Sequence, residues 1–290
     1  MGQYDQAISQ YMRALDLRRN MGDKRGAAIE SYGIGTVFEF QGRFGAAVNS
    51  KQEALRVFEE LKDNTAWMPE SQSGYAHALI LAGRGDEAGQ YLDQALALAR
   101  ELKNNGLIAQ VLSFQGDALY YKGDIKSARS FYERALQAAN QSKEPDKILI
   151  SKINLARQDV GEGRSAAGLS ALRSLAQEAD RQGLKYQALE CSIHSAQAML
   201  QMKNFAQARQ ELERDIAQTE RLGLNPLSAQ AQFFLAGVLR ESGSTSDAQD
   251  HYRQALRLID AMTKDLGADK LLNRSDFSTI STDSKRWLQG

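Results

Sequence analysis

The chain of 290 residues has a single cysteine, Cys191. It forms no internal disulfide, which excludes a bridge-stapled fold and suits a reducing compartment such as the cytoplasm. Its three prolines, Pro69, Pro145 and Pro226, leave long stretches free to be helical. An excess of one charge is also missing: Lys+Arg and Asp+Glu are both 36. Net charge therefore draws the chain toward neither nucleic acid nor an anionic membrane. The pairs Arg18-Arg19 and Lys24-Arg25 form one local basic patch, without the interleaved aromatics that stack single-stranded bases, and are expected to be solvated surface. No apolar run approaches the roughly 20 residues of a membrane span, and the first ten residues lack the regions of a signal peptide. A soluble, cytoplasmic piece without membrane contact of its own is expected, within a parent protein that further residues could tether.

Signals of chemistry are equally scarce. His77, His194 and His251 are far apart in the chain, and none belongs to a His-Glu-x-x-His pair, so no metal site is expected. Cys191 and His194 are three apart on one helical face, but nothing adjacent supplies the electropositive surroundings that a thiolate needs. Gly83-Arg84-Gly85 and Gly161-Glu162-Gly163 follow helices rather than strands and lack the Gly-Lys-Ser/Thr of a phosphate loop. No catalytic residue and no cofactor is expected.

What the chain does have is a repeat. Gly or Lys followed five residues later by a small residue recurs at Gly2–Ala7, Gly42–Ala47, Gly83–Ala88, Gly123–Ala128, Gly163–Gly168, Lys203–Ala208 and Gly243–Ala248, at intervals of 40 or 41 residues. Such periodicity means that one unit is stacked through the chain, each copy burying its apolar face against its neighbours. Ser31, Ile34, Gly35 and Phe38 fall at helical spacing before the turn Gly42-Arg43-Phe44, and Ala47, Lys51 and Ala54 continue a second stripe beyond it. Gly116, Leu119, Gly123-Asp124-Ile125, Ala128, Tyr132 and Ala135 repeat that design. Small residues in the stripes let two helix axes approach closely, and the glycine ends the first helix where a left-handed residue is needed. The prolines lie where first helices begin, a position that tolerates the missing N–H. Helices are expected near 4–20, 26–41, 45–62, 68–82, 86–104, 107–122, 126–141, 146–161, 165–182, 185–202, 205–222, 226–242 and 246–266. No alternation of the β type competes with them.

A small residue late in the first helix, a Gly-polar-aromatic turn, then alanine, an aromatic four later and alanine three after that resemble the tetratricopeptide repeat. Gly2, Tyr4, Ala7, Tyr11 and Ala14 match its second half, as do Gly243, Ala248, Tyr252 and Ala255. The resemblance implies an all-α, right-handed superhelical solenoid of antiparallel helix hairpins over residues 1–266. In this reading the second helix of a truncated unit occupies 1–21, further units start near 26, 66, 107, 146, 185 and 226, and a short helix and polar tail around Trp287 fill 267–290. The period of 40 exceeds the usual 34 and implies longer helices. The fifth and sixth units depart from the signature, with Gly168, Leu172 and Leu175, then Ala208, Leu212 and Asp215. Compensated packing there is the favoured expectation, over a change of curvature or a bound element near 145–220.

Members of the family line a concave groove with first helices and bind protein segments there. Projected onto this chain, that implies a docking face of Tyr32, Thr36, Glu39, His77, Ser113, Asp117, Tyr120, Ile153, Arg157, Ile193, Gln197, Phe233 and Arg240. The Lys/Asn/Arg clamp by which some members grip a carboxyl terminus is absent, its places being taken by residues such as Tyr32, Thr36 and Gly74. A non-catalytic scaffold for a protein or peptide segment is expected, without nucleic acid. Because Gly2 already stands at a turn, the chain reads as a fragment of a multidomain regulatory protein. The ending from Leu258-Ile259-Asp260 through Leu271-Leu272-Asn273-Arg274-Ser275-Asp276-Phe277 is similar to the tails of repeat regions that follow bacterial serine/threonine kinase domains. A peptide-sensing domain of a transcriptional regulator and a self-assembly module are the alternatives. In the last, Ile8, Tyr11 and Leu15 of an open terminal helix would carry a homodimer.

Overall fold

The computed structural model describes residues 3–267 and 269–289. Among these there are fourteen α-helices and no strand. They are α1 Gln3–Asn20, α2 Lys24–Gln41, α3 Phe44–Glu60, α4 Trp67–Leu81, α5 Gly85–Glu101, α6 Asn105–Tyr121 and α7 Ile125–Ser142, then α8 Pro145–Gly161, α9 Ser165–Arg181, α10 Lys185–Gln201, α11 Phe205–Leu222, α12 Asn225–Glu241, α13 Thr245–Leu266 and α14 Ser275–Gln289. A short 3₁₀ segment, Asp269–Asn273, precedes α14. Each of the thirteen helices read from periodicity is present with its ends displaced by three residues or fewer. The expected turn at Gly2 lies outside the described residues.

One device makes the turns. A residue with left-handed backbone follows each first helix: Gly42, Gly83, Gly123, Gly163, Lys203 and Gly243, with φ between 60° and 90°. The next N–H then reaches back five residues to close the helix end, as in Arg43 N to Phe38 O at 2.9 Å and Asn204 N to Met199 O at 2.8 Å. The turns between units use the same geometry at Gly22, Lys62, Lys103, Lys143, Gly183 and Gly223. Side-chain caps from Asp23, Asn104 and Asp124 start three of the helices.

The hairpins stack as a right-handed superhelix. Besides its own hairpin partner, each first helix from α2 to α10 touches the first helix of the next unit, the crowding expected on the inside of a curve. Small residues set the approach distance: a Cβ on Gly116 would lie 2.5 Å from the Tyr132 ring, and one on Gly35 would lie 2.7 Å from Lys51 Cγ. The degenerate fifth and sixth units pack by substitution, because Leu172 and Leu212 are fully buried in the places held elsewhere by aromatics and a Cβ on Gly168 would lie 2.6 Å from Val160 Cγ2.

Two features differ from the linear expectation. Ile8 and Leu15 of α1 are buried rather than open, since that face rests on α2 and Tyr4 packs edge-on to Phe40 at 5.7 Å. Tyr11, the third residue of that expectation, is exposed, together with Met12, Leu17 and Met21. The segment around Trp287 is not a polar tail but the end of α14, whose Phe277 and Ile280 are buried. The superhelix also meets itself after one turn: α13 packs on α3 and α12 on α2. Gly45 N donates to Asp265 Oδ2 at 2.8 Å, and Met262 lies on Gly42. No described helix is long and apolar enough to cross a membrane.

Candidate functional site

The inner face is built from equivalent positions on successive first helices, and two polar ladders run across it. The deeper one starts at Lys51 of α3, whose Nζ donates to Glu39 Oε1 of α2 at 2.7 Å in a buried pair. Glu39 Oε2 is 3.3 Å from His77 Nδ1 on α4, and His77 Nε2 is 3.9 Å from Asp117 Oδ2 on α6. Asp117 Oδ1 accepts from Tyr132 at 2.7 Å and from Arg157 of α8 at 3.3 Å, and Arg157 pairs in turn with Glu190 of α10 at 2.7 Å. Five units are thus linked by polar contacts, of which Lys51 to Glu39 and Arg157 to Asp117 and Glu190 are charge-assisted and, where water is scarce, stronger than at the surface.

Burial would push the Glu39 carboxyl up, but Lys51 and His77 outweigh it and hold it below the usual carboxylate range. Burial and the like charge of Asp117 keep the Glu190 carboxyl above its usual value even beside Arg157. Burial and Arg157 bring the His194 imidazole down to about 4, so it is neutral at physiological pH and shares a 2.9 Å contact with Gln197. Burial pushes the Cys191 thiol up, the opposite of what a nucleophile requires.

The shallower ladder lies at the start of the first helices. Tyr32 donates to Glu70 at 2.9 Å, Gln110 donates to the same carboxylate at 2.9 Å, and Lys147 donates to Gln110 Oε1 at 2.6 Å. Gly74 has no side chain because the Tyr32 ring lies against it. A cavity of about 260 Å³ opens beside this ladder, lined by Trp67, Glu70, Gly106 and Lys147 among others.

The residues projected onto the groove divide between these settings. Glu39, Asp117 and Arg157 form the buried ladder with His77, whereas Ser113, Ile153 and Ile193 are buried and take no part in it. Thr36 bonds back to the Tyr32 carbonyl at 3.2 Å. Tyr120 lies 4.6 Å from the Arg157 guanidinium, Phe233 packs on Tyr252 at 5.9 Å, and Arg240 lies 4.2 Å over Trp287. Glu70, Gln110, Lys147 and Glu190 were not in that projection. Glu70 and Gln110 stand a repeat apart, so the period itself could have pointed to them.

The rim of the groove, where the first helices end, holds the chain's own carboxyl-terminal segment. Arg274, 3% exposed, lies 4.0 Å over Tyr121 and 4.2 Å over Phe277, donates to the Leu81 carbonyl at 3.2 Å and pairs with Asp276 at 2.7 Å. Asn273 donates to the Gly83 carbonyl at 3.0 Å, and Ser275 to that of Tyr120 at 3.2 Å.

Hairpins of this period, turn and inner-face geometry accord with what sequence profiles return. Profiles described as tetratricopeptide repeat match residues 1–60 and 67–141, and a second one of the same description matches 193–262. The chain belongs to the tetratricopeptide-repeat family. No curated protein matches its sequence. Among solved structures, this tetratricopeptide-repeat chain is similar to a Rap protein complexed with Competence and Sporulation Factor, with a TM-score of 0.70 and 16% identity over 90% of this chain and 72% of that one. It is also similar to the Rap conjugation gene regulator of plasmid pLS20 in complex with the Phr* peptide, with a TM-score of 0.64 and 15% identity over 90% of this chain and 77% of that one. A third likeness is to apo RapI, with a TM-score of 0.60 and 18% identity over 89% and 93% of the two chains. At these identities the tetratricopeptide-repeat likeness is one of fold.

Proposed function

We propose that the chain is a non-catalytic scaffold that docks a protein or peptide segment on its concave face. The observation that carries this reading is that the rim of the inner face already receives peptide: backbone carbonyls of Leu81, Gly83 and Tyr120 and the ring of Tyr121 hold Asn273, Arg274 and Ser275. A surface that satisfies the side chains of one segment has the donors, acceptors and rings to satisfy another. The shallower ladder offers half-buried polar groups beside an open cavity, the mixture of apolar bulk and a few placed polar atoms that recognition sites use. Two Rap proteins of this fold are in complex with a signalling factor or a peptide, which favours peptide sensing within a bacterial regulatory protein as the finer form of the reading.

Selection of a random twelve-residue display library on the full chain tests it, with recovered peptides titrated against the wild type and a Glu70→Ala, Tyr121→Ala, Lys147→Ala variant of unchanged helicity, which alters both ends of the inner face. At least a tenfold loss of affinity in the variant is expected. Equal binding by both would move the site off this face.

A further inference from the structure

The end of α13 and the segment after it run along the rim of the superhelix in step with the repeat. Met262 lies against the turn at Gly42, the Lys270 carbonyl against Gly83, and Ser275 Cβ would stand 3.7 Å from a Cβ on Gly123. Three successive interhelical turns are thus met in order by the end of α13, the 3₁₀ segment and the first residue of α14. The close approach at Gly83 is possible because that residue has no side chain. The corresponding turns at Gly163 and Gly243 have nothing within 4 Å of a Cβ position.

Arg274 anchors the segment. Its guanidinium is out of water yet fully engaged by Tyr121, Phe277, Asp276 and the Leu81 carbonyl, with Phe44 at 5.6 Å. The receptors on the solenoid side are backbone carbonyls and ring faces, which recognise an arginine whatever chain carries it. The partner carboxylate and the second ring, Asp276 and Phe277, come from the segment itself. Beside Asn273 and Arg274 a cavity of about 530 Å³ remains, and Gly85 and Gly89 on its wall face open space. The resident segment therefore leaves room on its own docking site. α13 ends at the left-handed Gly267, with φ of 68°, and α14 leans mainly on α13.

We propose that residues 269–289 are a displaceable occupant of the docking face, and that the partner is a protein segment in which an arginine is followed by an acidic residue and an aromatic, competing for the place of Arg274. This rests on the reading of the concave face as a docking surface. Ligand binding is thereby coupled to release of α14, with Gly267 as the hinge and the tethered segment competing at an effective concentration on the order of 1 mM.

The probe is a labelled synthetic peptide of residues 269–289, titrated by fluorescence anisotropy into the full chain and into an Arg274→Ala, Phe277→Ala variant. The variant is expected to bind at least tenfold more tightly than the wild type, and an Arg274→Ala peptide to lose at least tenfold on it. Equal affinity for both chains overturns the inference and leaves the docking reading standing, since the face would bind without being gated. Should that variant lose helicity, the lock decides. Gly123→Cys with Ser275→Cys places two sulfurs on Cβ positions 3.7 Å apart, within disulfide reach, while the sole native thiol, Cys191, is buried. In the reduced protein added peptide should speed hydrogen exchange of 275–289, and in the oxidised protein it should neither bind nor change exchange. Binding by the oxidised form equal to the reduced form, or no effect of peptide on exchange in the reduced form, overturns the proposal.

Discussion

His194 shows how far burial on the inner face reaches into chemistry. Its imidazole is held down to about 4 by burial and by Arg157, against an ordinary value of 6.5. The unfolded chain then binds the proton more tightly than the folded one, so this residue's contribution to stability is complete above pH 6.5 and falls as pH drops toward 4. At pH 5 the loss amounts to about 2 kcal/mol, at roughly 1.4 kcal/mol per pH unit. A His194→Gln variant should lack that loss, so the wild-type minus variant difference in urea-denaturation free energy should shrink between pH 7 and pH 5. A constant difference would show that His194 is not held neutral. Glu190, whose carboxyl is held above its usual value, is common to both proteins and cancels in the comparison. Single residues also explain where the repeat signature varies. Lys51 stands in a place that Tyr132 and Tyr252 hold in other units, and it is tolerated there, at 2% exposure, because the Glu39 carboxylate accepts a hydrogen bond from its ammonium.

At the scale of the helix and its turn, five of the six turns within units use glycine in the left-handed region, and the sixth uses Lys203 at φ 60°. A residue with a Cβ pays about 1–2 kcal/mol there, partly offset because glycine loses more freedom on folding. Lys203→Gly should therefore raise stability by about 0.5–1 kcal/mol, read as a higher melting temperature with an unchanged helical spectrum. A lower melting temperature would show that side-chain interactions of Lys203 outweigh its backbone. Helix positions were legible in advance because the left-handed residue, the small stripe and the prolines recur in register. The turns between units were less legible: Gly22, Gly183 and Gly223 announce three of them, but Lys62, Lys103 and Lys143 adopt left-handed backbone without a glycine.

At the scale of the molecule, the superhelix closes after one turn through a small set of contacts between α3 and α13 and between α2 and α12. A Cβ on Gly45 would stand 2.5 Å from the Asp265 carbonyl oxygen and 3.2 Å from Asp265 Oδ2. Gly45→Glu puts bulk and a like charge at that joint. Small-angle scattering should then report a larger radius of gyration at unchanged helicity, while an unchanged radius would mean that the hairpin stack alone sets the curvature. The inner face is more buried than an open groove because its residues pack within and between adjacent hairpins, Ile153 and Ile193 in hairpin cores and Glu39, Asp117 and Arg157 in the ladder. Of the projected docking residues, Glu39, Ser113, Asp117, Ile153, Arg157 and Ile193 are buried.

The sequence by itself determined the unit, its period, its helices and the family, because those follow from contacts between residues a few positions or one repeat apart. Glycine spacing, small-residue stripes and proline placement encode such contacts directly. Only the tertiary structure decided that Phe40 meets Tyr186, that Gly45 meets Asp265 and that Arg274 lies on Tyr121. Those partners come from distant units and are set by the small rotation accumulated at each hairpin, a quantity that no local pattern carries. Polar residues such as Asp117 and Arg157 read as groove lining on any one helix, and they became a ladder when curvature brought five helices within reach of one another.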